Sequence, residues 1–316
     1  MKEHDDLEDC DLYRYIYDAT SQIPRGMVTT YGDIAEALGD KAASRAVGMA
    51  LSSNPRPIEV PCHRVVYRDG RVGWYNGLGK GNEKKTMLLR EEGLDIIDGV
   101  VQNMDVVRFR KFVLRPVLKE MRDLQSRSAP DVIAKDDHGP FTRLVGLDVS
   151  YEGDEAYAAA VTLDIDSGEV STRISKTKVE FPYVPGYLSF REMPSLIRLL
   201  DKDEGALVLV DGQGRLHPRR FGIASHLGVR TGLPTIGVAK SLLTGKAQEG
   251  GEIILDGELM GRVVVAGRRK YYVSVGHGVS LGSAETTVRT YLSDNRTDVL
   301  RMAHAAATDA RKGVSR

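Results

Sequence analysis

Consecutive strand patterns in the second half of the chain are the feature that most constrains its fold. Three of them follow one another directly, at Leu144–Tyr151, Tyr157–Ile165 and Val170–Val179. This succession predicts an antiparallel meander. Farther along, Ala206–Val210 and Thr235–Val238 are wholly apolar runs, typical of strands buried on both faces, and a helix is predicted between them at Arg220–Leu227.

A meander followed by alternating strands and helices is the element order of an RNase H-like α/β fold. The first half of the chain instead contains short helical patterns, at Asp11–Thr20, Thr30–Gly39, Lys41–Ser52 and Lys84–Glu92. The tight link between the second and third predicts a helix-turn-helix-like pair. The chain has 316 residues, and its sequence pattern changes near residues 97–104. We therefore expect two domains. Residues 1–103 should be mostly α and winged helix-turn-helix-like, and residues 104–316 should be α/β.

Three further predictions concern other parts of the chain. Asp105–Leu124 is amphipathic and is predicted to be a helix kinked by Pro116. Ser126–Gly139 is polar and is predicted to be a loop, and a helix is expected around Pro194–Leu200.

Composition excludes several classes of protein. No apolar run approaches the roughly 20 residues of a membrane span, and the N-terminal residues are acidic, unlike a signal peptide. The two cysteines, Cys10 and Cys62, argue against a disulfide scaffold and fit a reducing compartment. We therefore expect a cytoplasmic protein without membrane association.

Net charge is zero, but its distribution is uneven. Residues 41–90 contain ten Lys or Arg and three acids. This local excess could attract a phosphate backbone, and a merely solvated surface is the alternative.

Cys62 is the first candidate for chemistry. It lies in Pro-Cys-His-Arg-Val, between Pro61 and the basic pair His63 and Arg64. A thiol attacks as its thiolate, which neighbouring positive groups favour. A buried structural cysteine is the alternative from these residues alone.

The surrounding string resembles the active-site signature of O(6)-alkylguanine-DNA alkyltransferases, over about residues 11–95. The resemblance implies that a damaged guanine is flipped out of duplex DNA and that its alkyl group passes irreversibly to Cys62, without a cofactor. His63 would deprotonate Cys62 through a water, and Glu92 would orient His63. The residues implied for DNA and substrate binding are Tyr31 at the target phosphate, Arg45 in the base stack, Asn54 at the cysteine turn, Arg64, and Tyr75 at the alkylated base.

One departure concerns the family's usual additional domain, because only about ten residues precede the matching region here. A short form also resembles alkyltransferase-like proteins, which have tryptophan in place of the cysteine. The first domain could therefore be only a damage sensor, but the presence of Cys62, His63 and Glu92 favours transfer. Cys10 matches no part of the signature.

The second candidate site consists of acids at strand positions. Asp148 lies on the first predicted strand of the meander, and Asp211 directly follows Ala206–Val210. A carboxylate there is costly unless it is paired or bound to a metal ion. With Glu192, the two acids suggest oxygen ligands for Mg²⁺, while a simple turn at Asp211-Gly212 is the alternative.

The strings Pro182-Tyr183-Val184-Pro185-Gly186, Asp211-Gly212-Gln213-Gly214 and Gly276-His277 resemble endonuclease V, over about residues 104–316. The family nicks DNA at the second phosphodiester 3′ to deaminated bases, above all hypoxanthine, with uracil and xanthine as further candidates. Mg²⁺ is the implied cofactor, and Mn²⁺ can substitute. The implied residues are Asp148, Asp211, Glu192 and His277 around the metal ion, Lys240 in the catalytic site, Tyr183 as a wedge, and Gly214 and His217 near the lesion.

The expected partner is damaged double-stranded DNA. Single-stranded DNA and inosine-containing RNA stay open as alternatives, because the contacts that distinguish a 2′-hydroxyl cannot be inferred from the residues. No obligatory protein partner is expected. Gln213 replaces a common histidine, and His226 is expected to be structural.

Overall fold

The computed structural model describes residues 6–75, 82–200, 205–266, 269–294 and 296–313. The chain divides into two compact units. The first contains Cys10–Met121 with Glu180–Pro185, and the second contains Met1–Asp9, Arg122–Val179 and Gly186–Arg316. The predicted division between residues 103 and 104 stays a prediction, while contacts divide the chain between Met121 and Arg122.

The first unit is built from short helices and two small pairs of strands. Its helices are α1 (Leu12–Ser21), α2 (Tyr31–Ala37), α3 (Ser44–Ser52), α4 (Glu83–Glu91) and α5 (Met104–Val107). Its strands are β1 (Thr29–Thr30), which pairs in parallel with β2 (Val65–Val66), and β3 (Ile96–Ile97), which pairs antiparallel with β4 (Val100–Val101). A further helix, α6 (Val117–Ser128), follows.

The start of α2 is fixed by a reciprocal cap. The Thr30 hydroxyl accepts a hydrogen bond from Asp33 N–H, and the Asp33 carboxylate accepts one from Thr30 N–H. Both satisfy N–H groups that a helix start or its cap would otherwise leave unpaired. This cap sets the direction in which Tyr31, the first residue of α2, leaves the strand.

The second unit contains one large mixed sheet. Within its described residues, nine strands follow the spatial order β10, β11, β12, β13, β9, β8, β5, β6, β7. Their bounds are β5 (Arg143–Glu152), β6 (Glu155–Asp164), β7 (Val170–Lys178), β8 (Ala206–Val210), β9 (Thr235–Ala239), β10 (Lys246–Ala247), β11 (Glu252–Leu255), β12 (Glu258–Ala266) and β13 (Arg269–His277). The predicted meander is confirmed as β5, β6 and β7, and β5, β8 and β9 pair in parallel.

Helices cover both faces of this sheet. They are α7 (Leu188–Leu196), α8 (Ile223–Thr231), α9 (Leu281–Tyr291) and α10 (Val299–Arg311). Because side chains alternate along a strand, Val145 and Leu147 of β5 join a core with α7 and α8, whereas Leu144 joins the core with α9 and α10. Asp148 has the same parity as Leu144 and therefore belongs to the face that α10 covers.

Some predicted helices are wrong in extent. Residues 108–116 are not helical, so Asp105–Leu124 is not one kinked helix. Pro116 lacks the N–H for an interior turn and restricts the residue before it, and α6 begins immediately after it. The helix predicted around Pro194–Leu200 starts earlier, at Leu188, and contains Pro194. The predicted loop from Ser126 begins inside α6, which continues to Ser128.

Among the described residues, no helix combines the length and the apolar character needed to cross a bilayer.

Gly146 marks the closest approach between β5 and α10, and its substitution offers a test of this packing. A Cβ atom at Gly146 would lie 2.5 Å from the carbonyl carbon and oxygen of Val299. We expect Gly146→Ala to lower the free energy of unfolding of the second unit by about 1–3 kcal/mol through overpacking. Hydrogen exchange of the backbone amides of β5 and α10 in increasing urea measures this. Gly139→Ala is the matched control, because nothing lies within 4 Å of a Cβ there, and equal stability of the two variants would contradict the packing.

Candidate active sites

Cys62 lies at the floor of a cleft of about 1180 Å³ in the first unit. The residue is 5% exposed, and it begins a short 3-10 turn, Cys62–Arg64. Asn54 holds the preceding loop, because its Nδ2 donates to Val60 O at 2.9 Å and its Oδ1 accepts from Arg56 N–H at 3.0 Å. The thiol is thus presented at a fixed position toward the cleft.

A partly buried carboxylate orients the histidine next to this cysteine. Glu92 Oε1 lies 2.9 Å from His63 Nε2, and the Arg64 guanidinium binds both oxygens of Glu92 at 2.8–3.1 Å. Burial opposes ionisation of Glu92, but the hydrogen bonds from Arg64 and His63 outweigh it and lower its pKa to about 2. An ionised Glu92 only accepts hydrogen bonds, so Nε2 of His63 carries the proton.

His63 Nδ1 therefore has its lone pair available. It is buried and has no hydrogen-bond partner among the described residues. Burial lowers the pKa of His63, while the bond to Glu92 partly opposes that shift. A neutral imidazole with an open Nδ1 is the form that a general base requires.

Tyr31 forms part of the cleft wall near Cys62. Its ring centroid is 5.6 Å from that of Tyr67 and 5.9 Å from Lys85 Nζ. Lys85 is buried and donates to Val65 O at 2.5 Å, and burial lowers its pKa to about 8. Burial also raises the pKa of Tyr31 to about 12, so its hydroxyl stays protonated and can donate a hydrogen bond.

The other residues predicted for the first site divide into two groups. Arg45 is exposed and lines the cleft, and Tyr75 lines it with a buried hydroxyl that has no partner among the described residues. Arg64 instead binds Glu92 and donates to Ile23 O at 2.6 Å. Its geometry favours holding Glu92 over contacting DNA. Asn76–Gly81, which directly follow Tyr75, lie outside the described residues.

In the second unit, sheet pairing brings Asp148 and Asp211 together. Leu147 of β5 is in register with Val210 of β8, and Asp211 N–H donates to Leu147 O at 3.1 Å. The two aspartates therefore follow equivalent positions on adjacent parallel strands. Burial, and then the charge of Asp211, raise the pKa of Asp148.

Each aspartate has a basic partner. Lys240 Nζ, just beyond β9, donates to Asp211 Oδ2 at 2.5 Å. His304 Nδ1, on α10, lies 2.6 Å from Asp148 Oδ2. Both basic side chains are mostly exposed, whereas the aspartates are mostly buried. The buried negative charge thus meets positive groups at an open rim.

Glu192 is the third acid of this site. It lies on α7 and its Oε1 accepts a hydrogen bond from the Tyr151 hydroxyl at 2.8 Å. Burial raises the pKa of Glu192 to about 8, and the charges of Asp148 and Asp211 add to that effect. The structure therefore places Glu192 in the electrostatic environment of the two aspartates.

His277 lies elsewhere on the sheet. It ends β13, and its Nδ1 accepts a hydrogen bond from Ile133 N–H at 3.3 Å. Among the described residues, His277 has no hydrogen bond or ion pair with Asp148 or Asp211, and no group of three or more His, Cys, Asp and Glu side chains is arranged to hold one metal ion. His277 as a metal ligand stays a prediction, and His304 is the histidine that contacts an aspartate.

Residues predicted near the lesion are held mainly by internal contacts. A Cβ at Gly214 would lie 2.0 Å from Val275 O, so sheet packing alone requires glycine there. His217 is buried, and burial with the charge of Arg219 lowers its pKa to about 3. Its Nδ1 accepts from Arg219 N–H, so its Nε2 donates to Gly186 O at 3.1 Å. Tyr183 is half-exposed in the segment grouped with the first unit.

Three buried side chains lie outside these sites. His226 is fully buried between Phe190 and Phe221, and its Nε2 lies 3.0 Å from Glu8 Oε1. Gln213 is buried and donates to Ser241 O at 2.9 Å. Burial raises the pKa of Cys10 to about 12, which makes that thiol a poor nucleophile.

His304 was missed in the sequence because its partner is 156 residues away. A signal was nevertheless present. Leu300, Ala303 and Ala307 form the buried stripe of α10, and His304 lies beside that stripe at helical spacing. A histidine next to a buried helix face can reach the strand that the helix covers.

Two protein-family models match the chain, and each matches one of its two parts. A model for endonuclease V matches residues 122–305. A model for the DNA-binding domain of 6-O-methylguanine DNA methyltransferase matches residues 11–94. Residues 95–121 belong to neither match.

Relatives and solved structures extend this result. A bifunctional methyltransferase/endonuclease of Picrophilus torridus is 36% identical over 298 residues, which are 94% of this chain and 96% of that protein. Endonuclease V of Streptomyces avermitilis superposes with a TM-score of 0.57 at 36% identity, over 62% of this chain and 93% of that one. Endonuclease V of Ciona intestinalis, in complex with a DNA 24mer that contains an inosine followed by a ribo-adenosine, superposes with a TM-score of 0.55 at 26% identity. The match covers 63% of this chain and 99% of that one.

The orientation of His63 predicts its titration. Because burial lowers its pKa, we expect the midpoint of the His63 titration to lie below the ordinary value of 6.5. Glu92→Gln should move this titration lower still, since Glu92 raises the pKa of His63. Imidazole NMR signals recorded from pH 5 to pH 8 measure both. A His63 midpoint above 6.5, or an upward movement in the variant, would contradict the arrangement.

Proposed function

The chain belongs to the family of bifunctional methyltransferase/endonucleases, and on this basis we propose that it repairs two kinds of damaged base in DNA. The first unit would transfer the alkyl group of O(6)-alkylguanine to Cys62. The second would nick DNA at the second phosphodiester 3′ to deaminated bases, above all hypoxanthine, with Mg²⁺. A winged helix-turn-helix for the first unit and an RNase H-like sheet for the second belong to the same proposal.

The observation that carries the first activity is the chain of contacts from Glu92 through His63. An ionised Glu92 holds the Nε2 proton, and the open Nδ1 is available to the Cys62 proton through a water. The thiolate sulfur then forms a bond to the alkyl carbon, and the bond from that carbon to guanine O6 breaks. The electron pair leaves with the guanine, and the thioether on Cys62 is permanent.

A base flipped out of the duplex needs a pocket that binds it and a side chain that fills the gap it leaves in the stack. The cleft beside Cys62, with Tyr31 and Tyr75 on its walls, has the size and the hydrogen-bonding groups to hold a purine. Arg45 is exposed on α3 at the same cleft and can fill the stack that the base leaves. A sensor without transfer would not need the His63–Glu92 pair.

The second activity is supported by the two adjacent carboxylates. Asp148 and Asp211 are buried together, so their ionised forms require compensating positive charge. Oxygen donors from one or two carboxylates, completed by water and phosphate oxygens, suit Mg²⁺, and we propose that these two hold it, with Glu192 next to them. When bound, the ion would activate water and stabilise negative charge at the phosphate.

The basic groups at the rim have separate roles in this proposal. Lys240 is held by Asp211 and lines, with His304, a second cleft of about 540 Å³ in which a phosphate would lie. His304 orients the Asp148 carboxylate through its Nδ1 contact. We therefore place His304 beside the metal ion in this centre. His277 stays a candidate ligand.

Alkyl transfer is tested by intact mass. Mixed with a duplex that contains O(6)-methylguanine, the protein should gain the mass of one methyl group, added on Cys62. Cys62→Ser should gain none, because serine is a far weaker nucleophile at neutral pH. His63→Ala should react at least about tenfold more slowly, with Cys10→Ser as the matched control that reacts normally. An unmodified wild-type protein would reduce the first unit to a damage sensor.

Nicking is tested with a hypoxanthine duplex and Mg²⁺, mapped on a sequencing gel. The product should end at the second phosphodiester 3′ to the lesion, and Asp148→Ala and Asp211→Ala should each lower the rate at least about 100-fold because the metal site is lost. The same assay on inosine-containing RNA tests the alternative substrate.

The two histidines provide a sharper comparison in the same assay. His304→Ala should lower the nicking rate about tenfold or more, since Asp148 loses its partner. His277→Ala should affect it less. The reverse order, or full activity of Asp148→Ala, would refute the proposed centre.

A further inference from the structure

Residues 104–110 lie outside both family matches, yet they are part of the fold of the first unit. Val28 N–H donates to Val107 O at 2.9 Å, and Phe109 N–H donates to Val28 O at 2.7 Å. The Thr29 hydroxyl donates to Phe109 O at 2.9 Å. We name residues 104–110 the basic arm. It begins as helix α5, and its residues 107–109 pair with residues 28 and 29 beside β1.

The basic arm directs two arginines to the cap of α2. Arg108 donates to both oxygens of Asp33 at 2.8 Å, and Arg110 Nε lies 3.6 Å from the same carboxylate. Burial opposes ionisation of Asp33, but the bonds from Arg108 and Thr30 lower its pKa. One negative charge thus meets two positive charges, and the group presents a net positive charge.

These two arginines differ in exposure. The Arg108 side chain is 19% exposed and its guanidinium is used by Asp33, whereas the Arg110 side chain is 62% exposed. Both line the cleft that contains Tyr31 and Cys62. Arg108 therefore neutralises a carboxylate that would repel DNA, and Arg110 retains donors that point to solvent at the cleft rim.

We infer that the basic arm is a DNA-binding element of the alkyltransferase site, in which Arg110 contacts a backbone phosphate of the strand that contains the damaged base. This inference rests on the proposed alkyl transfer. The other described basic residues that line the cleft are Lys41, Arg45, Arg68 and Lys85. A cleft with this many cations and few carboxylates suits a polyanion.

Phosphate is favoured over a base edge as the partner of Arg110. Its partial pairing with Asp33 fixes the side chain at the rim, next to Thr30 and the start of α2, rather than at the floor near Cys62. Contacts at such positions set register and affinity without reading sequence. The contribution of Arg110 should therefore depend on salt and not on the identity of the alkyl group.

The test compares two substrates of the full-length protein, in EDTA so that the metal-dependent activity is silent. One is a duplex with O(6)-methylguanine at subsaturating concentration, and the other is O(6)-benzylguanine free base, which has no phosphate. We expect Arg110→Gln to lower the transfer rate on the duplex by about 8-fold at 0.1 M salt, the effect of one lost phosphate contact. The slope of log rate against log salt should become shallower by about 0.9.

Three controls separate this effect from damage to the site. The rate with the free base should stay within about twofold of the wild type, since its reaction needs only the Cys62 site. Arg110→Lys should keep the salt slope because it keeps the charge. Arg14→Gln removes an exposed arginine on α1 that does not line the cleft, and it should change neither rate.

An unchanged salt slope in Arg110→Gln, or an equal loss with the free base, would overturn the inference. If the wild type modified Cys62 with neither substrate, the proposed transfer itself would fail. Fluorescence anisotropy with the same labelled duplex would then still decide the role of the basic arm, because the binding slope of Arg110→Gln must again be shallower than that of Arg14→Gln.

Discussion

The parallel pairing of β5 with β8 is the constraint on which the second unit depends. It places Asp148 and Asp211 after equivalent strand positions, where burial and the charge of Asp211 raise the pKa of Asp148. Sheet geometry enforces this proximity, and Lys240 and His304 offset its cost. The close contact of Gly146 with α10 serves the same arrangement, because it sets the distance at which His304 meets Asp148.

In the first unit a carboxylate is instead kept ionised by a partner within the protein. Glu92 is partly buried, but the Arg64 guanidinium donates to both of its oxygens and lowers its pKa. A fixed negative charge then selects the tautomer of His63 and leaves Nδ1 open. One carboxylate is thus stabilised by the protein alone, whereas the aspartate pair is only partly neutralised, which suits a site that binds a cation.

Local patterns predicted the strands well and the helix boundaries less well. Ala206–Val210 is a strand as expected, since an apolar run of that length has few alternatives once it is buried on both faces. Asp105–Leu124 is not one helix, because Pro116 cannot donate an interior helical hydrogen bond and because residues 107–109 instead bond to residues 28 and 29. A backbone that finds partners on a distant strand has no need of helical hydrogen bonds.

The sequence by itself identified the residues that we propose to be reactive, because Cys62, His63 and Glu92, like Asp148 and Asp211, lie in motifs whose residue types suit one reaction each. Tertiary structure alone decided which side chains meet. Arg108 reaches Asp33 across 75 positions, and His304 reaches Asp148 across 156. Such contacts depend on how helices and strands pack, and packing joins residues whose separation along the chain has no period to detect.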